Sequence, residues 1–129
     1  MGALFWLMAG CGPTAAPDVV GRVSLAPGVE VDPSLTLVVA ASPLTRAAED
    51  LEVEVLRIPA SQVSFPLSFR LRGSGGPAVN RSWFAEAWFT HEDDSNSPGR
   101  GDLQGTARFE FECVTRQCAD AQVDLVIGR

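Results

Sequence analysis

Apolar and polar side chains alternate most cleanly along residues 63–71, which read Val63-Ser64-Phe65-Pro66-Leu67-Ser68-Phe69-Arg70-Leu71. An alternation with a period of two places the apolar side chains on one face of a β-strand and the polar side chains on the other. Because proline cannot donate a backbone hydrogen bond, Pro66 predicts an edge strand or a bulge at that residue. This stretch therefore predicts a β-strand with one face buried in a core.

Six further segments show strand patterns, and glycine and proline punctuate the chain between them. These segments are residues 19–25, 35–41, 51–57, 82–90, 103–111 and 121–127. Residues 42–50 fit either a loop or a single helical turn, and the glycine-rich residues 73–77 predict a loop. Together the segments predict an all-β fold, a seven-stranded immunoglobulin-like β-sandwich over residues 19–129, with a partly open barrel as the alternative.

The composition narrows the classes of function. The chain has 129 residues, of which 46% are hydrophobic and 20% charged, which is typical of one globular domain. Its formal net charge is −6 and it contains no lysine, so nucleic-acid binding, a P-loop and Schiff-base catalysis are all disfavoured. His91 is the single histidine, which disfavours a metal site or a histidine-based catalytic relay. The composition predicts a non-enzymatic binding or structural module without a cofactor.

The N-terminus predicts a targeting segment. Residues 1–10 carry no charge, and the run is far shorter than the roughly 20 residues that span a bilayer, but it fits the apolar region of a secretory signal. Met8-Ala9-Gly10-Cys11 resembles a bacterial lipobox, in which the cysteine becomes acylated. We therefore expect residues 1–10 to be a lipoprotein signal peptide, Cys11 to be lipidated, and residues 11–18 to be a tether. The alternative is a buried N-terminal strand followed by an ordinary thiol.

Lipidation of Cys11 would attach the mature chain to a membrane of the bacterial cell envelope, facing the periplasm, where disulfides form. Cys113 and Cys118 lie between the sixth and seventh predicted strands, and their spacing is wider than that of a thioredoxin-type motif. We expect them to form a disulfide that closes a hairpin, which would contribute roughly 2 kcal/mol to stability. A redox-active pair is the alternative.

Residues 82–90 form the most aromatic segment. If Trp83 and Phe89 point into the core, Phe84 and Trp88 lie on the outer face of the strand around Glu86. Exposed aromatic side chains mark interaction surfaces, so Phe84 and Trp88 are candidates for binding a partner. The alternative is that a loop covers this strand on its outer side.

Several segments, in order along residues 20–127, carry a family resemblance. They are Val23-Ser24-Leu25-Ala26-Pro27, residues 32–39, Arg57-Ile58-Pro59, Gly101-Asp102-Leu103-Gln104-Gly105 and residues 123–127. Together they resemble the immunoglobulin-like periplasmic domain at the C-terminus of CycH-type (CcmI) cytochrome c biogenesis proteins. Residues 40–41 and 83–90 depart from the pattern of that family, and the pair Cys113 and Cys118 looks like an addition.

The resemblance implies an immunoglobulin-like module that holds a polypeptide partner such as apocytochrome c for haem attachment. The alternative function is that of a structural or assembly lipoprotein of the bacterial envelope with no role in haem attachment.

The lipobox can be tested by one substitution. Replacement of Cys11 by alanine removes the thiol that would be acylated, so we expect the variant to lose its retention in the membrane fraction. Fractionation of cells that express the parent chain or Cys11→Ala measures this directly. A variant that still fractionates with membranes would disprove the lipid anchor.

Overall fold

The computed structural model describes residues 16–45, 50–91 and 103–128, and within these ranges the chain is all-β apart from one 3₁₀-helix at Ala60–Gln62. The strands, in chain order, are β1 (Val19–Leu25), β2 (Thr36–Pro43), β3 (Glu52–Val53), β4 (Leu56–Pro59), β5 (Leu67–Leu71), β6 (Gly73–Ser74), β7 (Ser82–Thr90), β8 (Gln104–Glu110), β9 (Cys113–Val114), β10 (Gln117–Cys118) and β11 (Ala121–Ile127).

Two larger sheets carry the architecture. The three-stranded sheet has the order β11-β1-β5, with β1 parallel to β11 and antiparallel to β5. The four-stranded sheet has the order β4-β2-β7-β8, and all its neighbours are antiparallel. Two short ladders, β3-β6 and β9-β10, and one isolated bridge between Gln104 and Gly128 complete the pairing in the described ranges. The all-β prediction is confirmed, and the arrangement is consistent with a β-sandwich.

The core lies between the inner faces of the two sheets. On β7, Trp83 and Phe89 are buried, which confirms the predicted inward face of that strand. Trp83 packs edge-on against Phe111 with their ring centroids 5.5 Å apart, and Phe109 packs against Phe111 at 5.3 Å. Edge-to-face pairs of this kind add about 0.5–1.5 kcal/mol to the free energy gained from burial. Aromatic side chains therefore dominate one end of the core.

Three of the predicted strands match the structure residue for residue: 19–25, 82–90 and 121–127. The segment that alternates most cleanly, residues 63–71, forms a strand only from Leu67 onward, directly after Pro66. Its strand β5 is an edge strand, as Pro66 predicted, although Val63 and Phe65 still pack against the core. The missing N–H of Pro66 explains why the ladder begins after it.

The predicted strand at residues 51–57 is divided between two sheets. Its first part, β3, pairs with β6, and β4 pairs with β2 on the four-stranded sheet. At the break, the backbone N–H of Glu54 donates to the carbonyl of Arg72, and the N–H of Arg72 donates to the Glu54 carboxylate. Val55 is consequently 42% exposed, so the prediction of one continuous half-buried strand is wrong at this residue. Residues 73–74, predicted as loop, form β6.

Strand β11 joins the two sheets. It lies beside β1 along its whole length, and beyond its end the N–H of Gly128 donates to the carbonyl of Gln104 at 3.1 Å. A Cβ atom added to Gly21 would overlap the carbonyl oxygen of Val123, and one added to Gly105 would overlap that of Val126. Glycine is therefore required on both strands that contact β11.

We predict that Gly105→Ala destabilises the fold by about 3 kcal/mol or more. The added methyl group meets a backbone carbonyl rather than a flexible side chain, so β8 and β11 have to move apart. Urea unfolding followed by tryptophan fluorescence measures the change in the free energy of unfolding.

Gly28→Ala is the matched control, because Gly28 has a positive φ of 84° but nothing within 4 Å of an added Cβ. Its cost is restricted to backbone strain of about 1–2 kcal/mol. A Gly105→Ala variant no less stable than Gly28→Ala would show that β8 and β11 do not pack as closely as described.

Candidate functional site

The outer faces of the two sheets differ in chemistry. The three-stranded sheet carries exposed charged side chains on its outer face, among them Arg22, Arg70 and Asp124. The outer face of the four-stranded sheet also carries charged side chains, among them Arg57 and Arg108, but its middle along β2 and β7 is mainly apolar. We call Val38, Ala40, Phe84, Glu86 and Trp88 the outer apolar face. These residues alternate with core residues along β2 and β7. Val38 on β2 lies opposite Trp88 on β7, and Ala40 lies opposite Glu86.

Burial changes along the outer apolar face. Val38 and Trp88 have no exposed surface, whereas Ala40, Phe84 and Glu86 are half-buried. The prediction of an exposed aromatic side chain is therefore wrong for Trp88, and the alternative of a strand covered on both sides applies there. Trp88 occupies a central strand, where its cross-strand neighbours Val38 and Gln104 flank it on both sides. Phe84, four residues earlier on the same face, keeps part of its ring accessible.

Glu86 is a half-buried carboxylate in the middle of this face, and Arg108 lies on the same face of β8 two residues beyond its neighbour Thr106. Its cross-strand neighbours are Ala40 and Thr106, and Phe84 and Trp88 precede and follow it on the same face of β7. Burial raises the pKa of Glu86 above its ordinary value, because the charged form is partly removed from water. A partner that covers this face therefore has to supply a cation or a hydrogen-bond donor to Glu86, since an unpaired buried charge is costly.

A charged network ties three strands together at the start of β1. The Arg70 guanidinium donates to Asp18 Oδ2 at 2.6 Å and to Asp120 Oδ2 at 3.1 Å. Asp18 Oδ1 accepts from the N–H of Gly73, and the N–H of Asp18 donates to Asp120 Oδ1 at 2.8 Å. This network connects the residues that precede β1 and β11 to the end of β5, so its role is to hold the sheet together.

The hydrogen bonds and charges around Asp18 lower the pKa of its carboxyl group. Burial alone would raise the pKa, but the hydrogen bond from Gly73, the hydrogen bond and charge of Arg70, and the charge of Arg72 outweigh it and lower the pKa. A carboxyl that accepts such bonds only in the folded state stabilises the fold while it is ionised.

The cysteine pair closes a hairpin, as predicted. Cys113 and Cys118 are disulfide-bonded and lie directly opposite each other in the β9-β10 ladder. Between the strands lie Thr115, whose φ is 60°, and Arg116. Val114 is 79% exposed, more than any other large hydrophobic side chain of the described residues. The disulfide thus holds an apolar side chain in water at a fixed position.

Residues 16–45, 50–91 and 103–128 contain no cluster of three or more histidine, cysteine or acidic side chains that could hold a metal ion. His91 is exposed at the end of β7. Over the same ranges, no helix has the length and hydropathy to cross a membrane.

The sequence-predicted site residues are thus only partly brought together. Cys113 and Cys118 form their bond, and Phe84 and Trp88 share one face of β7. The signal segment 1–10 and Cys11 lie outside the described residues. Sequence reasoning missed the network of Asp18, Arg70 and Asp120, because Asp18 and Asp120 lie 52 and 50 residues from Arg70 along the chain. No local pattern identifies such a set.

Comparison with protein-family models, with curated proteins and with solved structures finds no match to this chain. The outer apolar face, the charged network and the disulfide-bonded hairpin are therefore the features from which a function can be inferred.

The charged network predicts a pH dependence of stability. Because the folded pKa of Asp18 lies below its unfolded value of 3.8, its contribution is complete above that value and disappears as the pH falls through the folded pKa. We expect Asp18→Asn to lower the free energy of unfolding at pH 7 by about 1 kcal/mol, since solvent screens the exposed Arg70. The difference from the parent should vanish in acid, as measured by urea unfolding over a pH series.

Asp124→Asn is the control, because Asp124 is an exposed carboxylate on the outer face of β11. It should leave the stability at pH 7 within about 0.5 kcal/mol of the parent. Equal effects of the two substitutions, or an Asp18→Asn effect that persists in acid, would contradict the assigned role of the network.

Proposed function

We propose that this chain is a lipid-anchored, non-enzymatic binding module of the bacterial envelope, and that it holds a polypeptide partner such as apocytochrome c. The observation that supports this is the pairing of half-buried Phe84 with half-buried Glu86 on the outer apolar face. Arg57 on β4 and Arg108 on β8 flank these residues on the same face. A partly accessible aromatic side chain beside a half-buried carboxylate supports a site of interaction on this face.

The chemistry of the face favours a particular kind of partner. Phe84 supplies an aromatic side chain of the type that anchors protein interfaces. Glu86 is partly removed from water and would pair with a lysine or arginine of the partner, an interaction that gives specificity as well as affinity. A polypeptide segment with a basic side chain next to an apolar one fits these two residues together.

Envelope localisation and the identity of the partner rest on the sequence. The resemblance of Met8-Ala9-Gly10-Cys11 to a lipobox supports a location at a membrane, and the resemblance of residues 20–127 to the CycH-type domain supports apocytochrome c as the partner. A structural or assembly lipoprotein uses the same anchor and fold, so the two functions differ only in what binds the outer apolar face.

A binding assay distinguishes the module that holds apocytochrome c from the structural or assembly lipoprotein. We expect purified chain to bind apocytochrome c, and Phe84→Ala to weaken that binding at least about tenfold, because the variant loses an aromatic anchor. Trp88 is fully buried, so its truncation would create a cavity, and it is therefore not used as the surface variant. Titration monitored by fluorescence anisotropy of labelled apocytochrome c provides the dissociation constants.

Val126→Ala is the control variant, because Val126 is 58% exposed on the outer face of the three-stranded sheet. It should bind like the parent. Absence of binding to apocytochrome c would exclude the role in haem attachment. Equal binding by Phe84→Ala and Val126→Ala would remove the outer apolar face as the site.

A further inference from the structure

The backbone hydrogen bonds show which way each residue of β1 and β5 points within the three-stranded sheet. Directly before β1, the carbonyl of Asp18 accepts from the N–H of Ala121, on the side of β11. Because successive residues of a strand direct their backbone groups to opposite sides, the odd-numbered residues of β1 face β5. In this register they pair with odd-numbered residues of β5. Ser68 and Arg70 on β5 therefore direct their N–H and C=O groups away from β1.

The edge of the sheet that follows β5 is covered. The N–H of Glu54 donates to the carbonyl of Arg72 at 3.0 Å, and the N–H of Arg72 donates to the Glu54 carboxylate at 2.9 Å. Strand β3, which ends just before Glu54, pairs antiparallel with β6 and so begins a fourth strand of this sheet. The chain leaves this edge at Val55 and forms β4 on the other sheet. None of the described residues pairs with Ser68 and Arg70 on this side, and we call their outward backbone groups the open edge.

Pro66 and Glu54 bound the open edge. Pro66 is the outward-facing residue before Ser68, and it has no N–H to donate. At the other end, the Glu54 carboxylate takes the place of a backbone carbonyl that would accept from Arg72 in a regular ladder. Ser68 and Arg70 are exposed, so an N–H and a C=O group of each residue are accessible between these bounds. An added strand is the ligand that pairs with all of these groups together.

A second copy of this chain meets a steric obstacle at the open edge. Antiparallel pairing of two copies that matches Ser68 with Arg70 also aligns Pro66 of one copy with Arg72 of the other. Glu54 already occupies the position beside Arg72 within the same copy. A separate polypeptide that ends before Glu54 avoids this overlap.

The end of the open edge at Glu54 carries negative charge. Oε1 of Glu54 accepts from the N–H of Arg72, and Glu52 and Asp50 lie beside Ser74 and Gly75, farther along the same edge. Three acidic residues thus stand against the single guanidinium of Arg72. A strand that runs antiparallel to β5, in the direction of β3, starts at this end. If it is the N-terminus of a polypeptide, its α-ammonium group lies next to the Glu54 carboxylate, where the charges attract.

We propose that the open edge of β5 binds the N-terminal segment of a polypeptide as an added antiparallel strand, which pairs with Ser68 and Arg70 and places its α-amino group at Glu54. Main-chain hydrogen bonds supply the affinity in this mode of binding, and alternate side chains supply the specificity. The bound residue opposite Phe69 lies on the core side of the sheet, which favours an apolar side chain there. This site is on the three-stranded sheet, separate from the outer apolar face, so its test does not depend on apocytochrome c.

NMR titration of the full chain with a synthetic peptide tests the added strand. The peptide alternates valine and threonine over five residues, starts with valine, ends in an amidated lysine and has a free α-amino group. We expect the amide resonances of Ser68 and Arg70 to shift on binding. Ser68→Pro removes one of the two outward donors without touching the pairing with β1, so it should weaken binding at least about fivefold. Ser68→Ala keeps the N–H and is the matched control, which should bind like the parent.

Acetylation of the peptide tests the contact with Glu54. We expect the acetylated peptide to bind the parent at least about threefold more weakly than the free peptide. Glu54→Gln keeps an oxygen acceptor for Arg72 but loses the charge, so it should bind both peptides equally.

Three outcomes overturn the proposal. The first is the absence of shifts at Ser68 and Arg70 in the parent, or equal binding by Ser68→Pro and Ser68→Ala when circular dichroism shows both to be folded. The second is equal affinity of the parent for the free and acetylated peptides, which removes the N-terminus as the ligand. The third is a dimer of the parent in sedimentation that Ser68→Pro dissociates, which assigns the open edge to a second copy. If Ser68→Pro does not fold, the shifts in the parent and the comparison of the two peptides decide.

Discussion

The close approach of β11 to two neighbouring strands is the constraint on which the remaining structure depends. The carbonyl oxygens of Val123 and Val126 occupy the space that side chains would fill on Gly21 and Gly105. Strand β11 thereby contacts β1 on one sheet and β8 on the other, and its buried residues Val123, Leu125 and Ile127 face the core between them. A larger residue at Gly21 would push β1 away from β11 within one sheet, and one at Gly105 would push β8 of the other sheet away from β11, so both would disturb the packing of that core.

The parallel pairing of β1 with β11 decides what meets at one end of the sandwich. Parallel strands begin at the same end, so Asp18 and Asp120 become neighbours although the chain separates them by 102 residues. Two adjacent carboxylates repel each other unless a cation lies between them, and Arg70 on β5 supplies that cation. The same parallel pairing places the disulfide-bonded hairpin beside the point where the tether enters. Topology, rather than local sequence, thus concentrates the charges and exposed loops there.

The strands were predictable where one local pattern determined them. Residues 19–25 and 121–127 keep a period of two, residues 82–90 are dense in aromatic residues that favour strands, and all three segments pair along their whole length, so their bounds followed from the sequence alone. The break after Val53 was not predictable, because the alternation of residues 51–55 continues through it. Only the hydrogen bonds between Glu54 and Arg72, which lies between β5 and β6, reveal it. Burial of Trp88 was equally hidden, since β7 carries aromatic side chains on both faces and no pattern within it tells which face is covered. The disulfide needed only sequence spacing and was predicted correctly.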